Sequence, residues 1–113
     1  MLDAQTFKTV IENTPLVSID LVIQNPRREI LMGYRNNPPA KNFWFVPGGR
    51  ILKNETISEA FKRISIQELG VAVEAEKSES LGAFSHIYPD SIFPGAGIST
   101  HYVALGFLVR TDL

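Results

Sequence analysis

Gly49-Arg50-Ile51-Leu52-Lys53-Asn54-Glu55, then Arg63 after seven intervening residues, then Gln67-Glu68-Leu69-Gly70-Val71, is the stretch that decides the fold. Inside it, Thr56-Ile57-Ser58-Glu59 has the form of a capping box, in which hydroxyl and carboxylate each satisfy one orphan N–H. Ile57, Ala60, Phe61 and Ile64 fall on one helical face, and Gly70 supplies a left-handed stop. These signals predict a helix from Thr56 to Leu69. Glu68 lies one turn beyond Ile64, so it is expected at the sheet surface, where a carboxylate needs a partner or a metal. A Gly-Gly pair ahead of the helix lets backbone approach a ligand closely. Mg²⁺ takes oxygen ligands, so a Gly48 or Gly49 carbonyl and the Glu68 carboxylate form a candidate pair. Arg50 and Arg63 bring charged forks suited to phosphate or carboxylate. Glu55 either orients the loop or sits solvated at the positive helix end. Glu59 and Arg63 are spaced for a surface ion pair. Gln67 reads as a helix-surface residue.

Outward from this core the chain reads as strands. Residues Thr6 to Asn13 have the spacing of a short helix, ended by Pro15. Leu16 to Gln24 is a largely buried strand holding one costly residue, Asp20, with an outward-facing position as the alternative. Asn25-Pro26-Arg27-Arg28 is a turn, and Glu29 to Arg35 returns as the second strand of a hairpin. Asn36-Asn37-Pro38-Pro39 is a loop. Phe43-Trp44-Phe45-Val46 is a short aromatic strand whose rings suit core and loop packing, and Pro47-Gly48-Gly49 breaks it. Two further strands are expected near Ser80–Tyr88 and Thr100–Arg110, around a Pro/Gly loop from Pro89 to Gly97. The sum is an α+β domain with a mixed sheet.

At 113 residues, with 44% hydrophobic and 20% charged residues, the chain is a single globular domain spanning 1–113. With no cysteines, disulfides and thiolate metal sites are excluded, which suits a reducing compartment, and we expect a cytoplasmic protein. No apolar run is long enough to span a bilayer. The start, Met1-Leu2-Asp3, lacks a basic region before an apolar one. A net charge of −1 gives no reason to expect nucleic acid or a membrane as partner. Between Arg27 and Arg63, however, eight basic residues face three acidic ones, a local +5 that suits a small anion such as a diphosphate or, more plainly, a solvated face.

The decisive stretch resembles a Nudix box, the loop–helix motif of hydrolases acting on nucleoside diphosphates linked to another moiety. Gly49, Glu55, Arg63, Glu68, Gly70 and Val71 match it. Ile64 replaces the Glu after the Arg, Ser65 an apolar residue, and Gln67 the first Glu of the closing pair. Thr14-Pro15-Leu16-Val17-Ser18, Trp44-Phe45-Val46-Pro47-Gly48-Gly49-Arg50, Glu68-Leu69-Gly70 and Thr100-His101-Tyr102-Val103 resemble the GDP-mannose mannosyl hydrolase branch of the family. The resemblance runs from about Phe7 to the last residue.

That resemblance implies a Nudix-type mixed sheet and Mg²⁺-dependent release of GDP and free sugar by water attack at the anomeric carbon. GDP-mannose is the implied substrate, GDP-glucose the second candidate, and Mn²⁺ an alternative ion. It implies Gly48 and Glu68 as metal ligands, and Arg35 and Arg50 as groups neutralising the departing diphosphate. Asp20, His86 and Tyr102 are implied around sugar and phosphates, Leu2 and Phe7 at the nucleotide with Phe7 on the base, and Arg63 as a support. It also implies a homodimer. In that family a general-base histidine and a further glutamine ligand lie beyond the point matching Leu113, and neither His86 nor His101 matches the base. We therefore expect a chain truncated at its C-terminus that lacks a closing helix. A lost base alone removes about 10²- to 10⁴-fold in rate. Two other readings stay open: a Nudix pyrophosphatase attacking phosphorus, and an inert sugar-nucleotide-binding or dimer-forming module.

Overall fold

The computed structural model describes residues 2–39 and 41–112; Met1 and Leu113, on which the readings of the two chain ends rest, lie outside them, as does Ala40. Helix α1, Ala4–Asn13, is capped by Asp3, whose carboxylate accepts from the Thr6 N–H at 2.7 Å. At its far end the Thr14 hydroxyl donates to the Val10 carbonyl at 2.9 Å, and Pro15 prevents a further turn.

Strand β1, Leu16–Gln24, follows at the predicted bounds and organises the sheet. It pairs in parallel with β6, Thr100–Arg110, and antiparallel with β4, Gly48–Arg50; β5, Glu79–Tyr88, flanks β6, giving the order β4-β1-β6-β5. One parallel pair among antiparallel ones makes the sheet mixed, as expected. The two-residue strands β2, Gly33–Tyr34, and β3, Trp44–Phe45, form a separate ribbon.

Helix α2, Ile57–Leu69, carries the predicted box in full: Thr56 Oγ1 accepts from the Glu59 N–H and the Glu59 carboxylate from the Thr56 N–H. Gly70 closes it at φ 76°. Its Ala60, Phe61 and Ile64 pack on Ile19, Leu21 and Ile23 of β1, and Phe61 meets Phe107 of β6 edge-to-face at 5.2 Å. Ile57, read as part of the buried face, is 48% exposed, and the helix buries Ser65 with Ala60, Phe61 and Ile64 instead. The Ser65 hydroxyl is satisfied by donating to the Lys62 carbonyl and accepting from the Val73 N–H. On the other sheet face Ile11 of α1, Leu16 and Ile98 form a second cluster with Phe7, Phe93 and Tyr102.

Three expectations need correction. Glu29 to Arg35 is not a full second strand of a hairpin. The Asn25 side-chain oxygen accepts from the N–H groups of Arg27 and Glu29, and Arg28 turns at φ 64°. After one bridge between Gln24 and Ile30 the segment peels away, because β4 already occupies β1 from Val17 to Leu21. Second, the aromatic strand does end ahead of Pro47, but the glycines after it are strand rather than loop: the Leu21 N–H donates to the Pro47 carbonyl at 2.8 Å, and both glycines lie in β4. A Cβ on Gly48 would strike the Ile19 carbonyl, and one on Gly49 would come within 3.3 Å of Ile64. The glycine pair therefore lets an edge strand fit between β1 and α2. Third, Phe43 and Trp44 are not core; they are 65% and 64% exposed on the ribbon, where Trp44 packs edge-to-face on Tyr34. Among the described residues no helix is long and apolar enough to cross a membrane.

Candidate functional site

Residues alternate between faces along a strand, so Ser18 and Asp20 turn away from the α2 core, as do Tyr102 and Ala104 on β6 and His86 and Tyr88 on β5. They floor an open pocket of about 440 Å³. That volume lies within the range of small-molecule sites. The β2–β3 ribbon forms the opposite wall with Leu31, Met32, Tyr34, Arg35 and Phe45, and Gly48, Gly49, Arg50 and Glu68 form the rim.

At the floor, Asp20 is half-buried, and loss of water raises its carboxyl above the ordinary value, with the nearby His86 pulling it partly back. His86 Nδ1 and the Tyr88 hydroxyl lie 3.4 Å apart. Burial raises the Tyr88 and Tyr102 phenols, against the pull of Arg35. Arg35 is fixed by its own loop, donating to the carbonyls of Asn37 at 3.1 Å and Pro38 at 3.3 Å, with its guanidinium 5.5 Å from the centre of the Phe45 ring. Arg50 also lines the pocket, and its guanidinium lies 3.9 Å from the centre of the Phe7 ring.

The rim is braced from behind. Arg63 of α2 donates to Glu55 at 2.7 and 2.9 Å, to the Arg50 carbonyl at 2.8 Å and to Gln67 at 3.1 Å. Glu55 also accepts from the Leu52 N–H, so it orients the loop. The Arg63 hydrogen bonds hold the Glu55 carboxyl below its usual range and raise the Arg63 guanidinium. The expected Glu59–Arg63 pair gives way to Glu55–Arg63, because Glu59 is committed to the cap.

Glu68 requires a correction. It is exposed, since Ile64 packs on Gly49 of an edge strand and one further turn carries Glu68 past the sheet. It still lines the pocket, as Gly48 does. Leu21 and Ile51 donate across the β1–β4 ladder to Pro47 and Val17, so the alternation turns the carbonyls of Gly48 and Arg50 away from β1. Arg50's carbonyl takes Arg63, and Gly48's faces the rim. Among the described residues no three His, Asp or Glu side chains are grouped for a metal. One carbonyl and one carboxylate nevertheless fit a hard divalent cation that draws its other ligands from water and phosphate.

Of the residues singled out in the sequence, Asp20, Arg35, Gly48, Arg50, Glu68, His86 and Tyr102 converge on this pocket. Leu2 does not line it and is 47% exposed; Phe7 packs in the α1 cluster and under Arg50. Ser18, Tyr34, Phe45 and Tyr88 line the pocket without having been singled out as site residues. For Ser18 and Tyr88 a signal existed, since each stands two residues from a candidate on the same strand.

The NUDIX domain family matches residues 14–112. The low-salt glycan biosynthesis protein Agl8 of Haloferax volcanii is 44% identical over 106 residues, covering 94% of this chain and 65% of that protein. The chain thus spans about two thirds of that relative's length. The MutT NUDIX hydrolase of Burkholderia pseudomallei superposes with a TM-score of 0.68 at 27% identity, over 88% of this chain and 69% of that one. The NUDIX domain of Shewanella oneidensis NrtR, solved with ADP ribose, gives 0.60 at 20% identity, over 99% and 67%, a likeness of fold. With the loop–helix stretch, the mixed sheet and the family match in agreement, the chain belongs to the NUDIX domain family.

Proposed function

We propose that this Nudix protein hydrolyses a nucleoside-diphosphate sugar by attack of water at the anomeric carbon, giving nucleoside diphosphate and free sugar. GDP-mannose is the first substrate to test and GDP-glucose the second. The observation that carries the reading is the pairing of two arginines with a single box carboxylate at the pocket. Ile64 is 1% exposed in the core, and the Gln67 amide is spent on Arg63, so Glu68 alone of these positions offers a charge to the rim. Attack at carbon asks mainly that the departing diphosphate be neutralised, and Arg35 and Arg50 both line the pocket for that task. Asp20, His86, Tyr88 and Tyr102 orient the sugar hydroxyls and the phosphates by hydrogen bonds. Gly48 and Glu68 would hold Mg²⁺, or Mn²⁺ in its place, which when bound adds charge neutralisation at the diphosphate. The glycan biosynthesis name of the Haloferax relative agrees with a sugar-nucleotide substrate. The same reading includes a cytoplasmic homodimer.

Turnover of GDP-mannose with Mg²⁺ in ¹⁸O-water tests it. Label in mannose, with GDP as co-product, supports carbon attack. Label in phosphate, with GMP and mannose 1-phosphate, overturns it in favour of a pyrophosphatase. Binding without turnover favours an inert sugar-nucleotide module.

A further inference from the structure

Arg50 is held at both ends by different helices. Its carbonyl accepts from Arg63 of α2 at 2.8 Å, and its guanidinium lies 3.9 Å from the centre of the Phe7 ring of α1. None of its guanidinium N–H groups donates to another described residue. Phe7 is itself fixed: its ring meets Phe93 edge-to-face at 6.2 Å and belongs to the cluster of Ile11, Leu16 and Ile98. An aromatic face attracts a guanidinium without consuming its donors. One face of the ring is taken by Arg50, so that face is not free to stack a nucleobase.

We infer that Phe7 is a positioning residue for Arg50, a ring that holds the guanidinium toward the pocket so that its N–H fork meets the diphosphate. The inference rests on the proposed diphosphate reading of the pocket and adds to it the part α1 plays. A long arginine on an edge strand loses rotamer freedom when it grips a ligand. The Phe7 face removes much of that freedom beforehand, so the gain appears in binding of any diphosphate, whatever base or sugar it carries.

Inorganic pyrophosphate separates the two roles, since it has no base. The full chain and its variants are titrated calorimetrically with pyrophosphate and with GDP, in the presence of Mg²⁺. Phe7→Leu, which keeps an apolar side chain in the cluster, is expected to weaken both probes by the same factor, about three- to tenfold. Phe7→Tyr, which keeps the face, is expected to restore both to within about twofold of the parent. In an Arg50→Ala background, Phe7→Leu is expected to add nothing, a coupling that a merely structural loss would not produce. Weaker GDP binding with unchanged pyrophosphate binding overturns the inference and puts Phe7 on the base. Additive losses in the double variant overturn it as well. If the parent binds neither probe, or Arg50→Ala binds both as the parent does, the diphosphate reading itself falls, and this inference with it.

Discussion

Removing the Arg63 guanidinium should destabilise the protein in a pH-dependent way. Arg63→Met keeps most of the aliphatic stem but deletes two hydrogen bonds to Glu55, at 2.7 and 2.9 Å, one to the Arg50 carbonyl at 2.8 Å and an exposed one to Gln67 at 3.1 Å. Exposed ion pairs contribute less than about 1 kcal/mol, whereas breaking a buried pair costs about 3–5 kcal/mol. The side chains of Arg63 and Glu55 are 28% and 18% exposed, which places the loss between these limits at about 2–3 kcal/mol. For a domain of this size that is a fall in melting temperature of about 10 °C at pH 7. The sign with pH follows from Glu55, whose carboxyl is held below its usual range by Arg63. A depressed carboxylate contributes stability above its unfolded pKa and loses it as pH falls through the folded value. The gap between parent and variant should therefore be full at pH 7 and narrow below about pH 4. Chemical denaturation at several pH values measures it. A gap of the same size at pH 7 and pH 3 would refute the ion pair as its origin.

The other expectations concern the pocket and assembly. Glu68→Gln keeps shape but removes charge, so Mn²⁺ followed as a spin probe should bind more weakly; unchanged affinity would remove Glu68 from the metal site. Arg50→Lys keeps the carbonyl that Arg63 holds, so melting should be nearly unchanged while calorimetric affinity for GDP drops about tenfold through loss of the bidentate fork. Equal GDP affinity would take Arg50 off the leaving group. Light scattering should find a homodimer, and a strict monomer at all concentrations would count against that proposal.

How far the fold was legible depended on whether the signals were local. Helix α2 was readable because Thr56, Glu59 and Gly70 act within one or two turns of themselves. Strand β1 was readable because its β-branched and apolar run is bounded by Pro15 and Asn25, and β5 and β6 because they lie on either side of the Pro/Gly loop from Pro89 to Gly97. The stretch Glu29–Arg35 was misread because its fate is decided by competition: β4, from further along the chain, takes the side of β1 that a hairpin partner would need. Gly48 and Gly49 were read as making room for a ligand, yet they also make room for Ile19 and Ile64, contacts invisible without the partner elements. Glu68 shows the same limit. Helical spacing gives the azimuth of a side chain but not where the sheet beneath it ends. The convergence of Asp20, His86 and Tyr102 came from the family resemblance; once β1, β6 and β5 are adjacent, strand alternation alone explains it.

Strand β1 carries two messages interleaved letter by letter. Ile19, Leu21 and Ile23 address the core, while Ser18 and Asp20, set between or beside them, address the pocket. Point changes at the second set can retune chemistry while leaving the first untouched, so specificity can drift at little cost to folding. Insertions and deletions have no such freedom. One residue gained or lost near Ile19 would deliver an aspartate to the hydrophobic interior and an isoleucine to the ligand. A library that varies length in this strand should therefore yield almost no folded members, whereas one that varies only Ser18 and Asp20 should yield many, differing in what they bind.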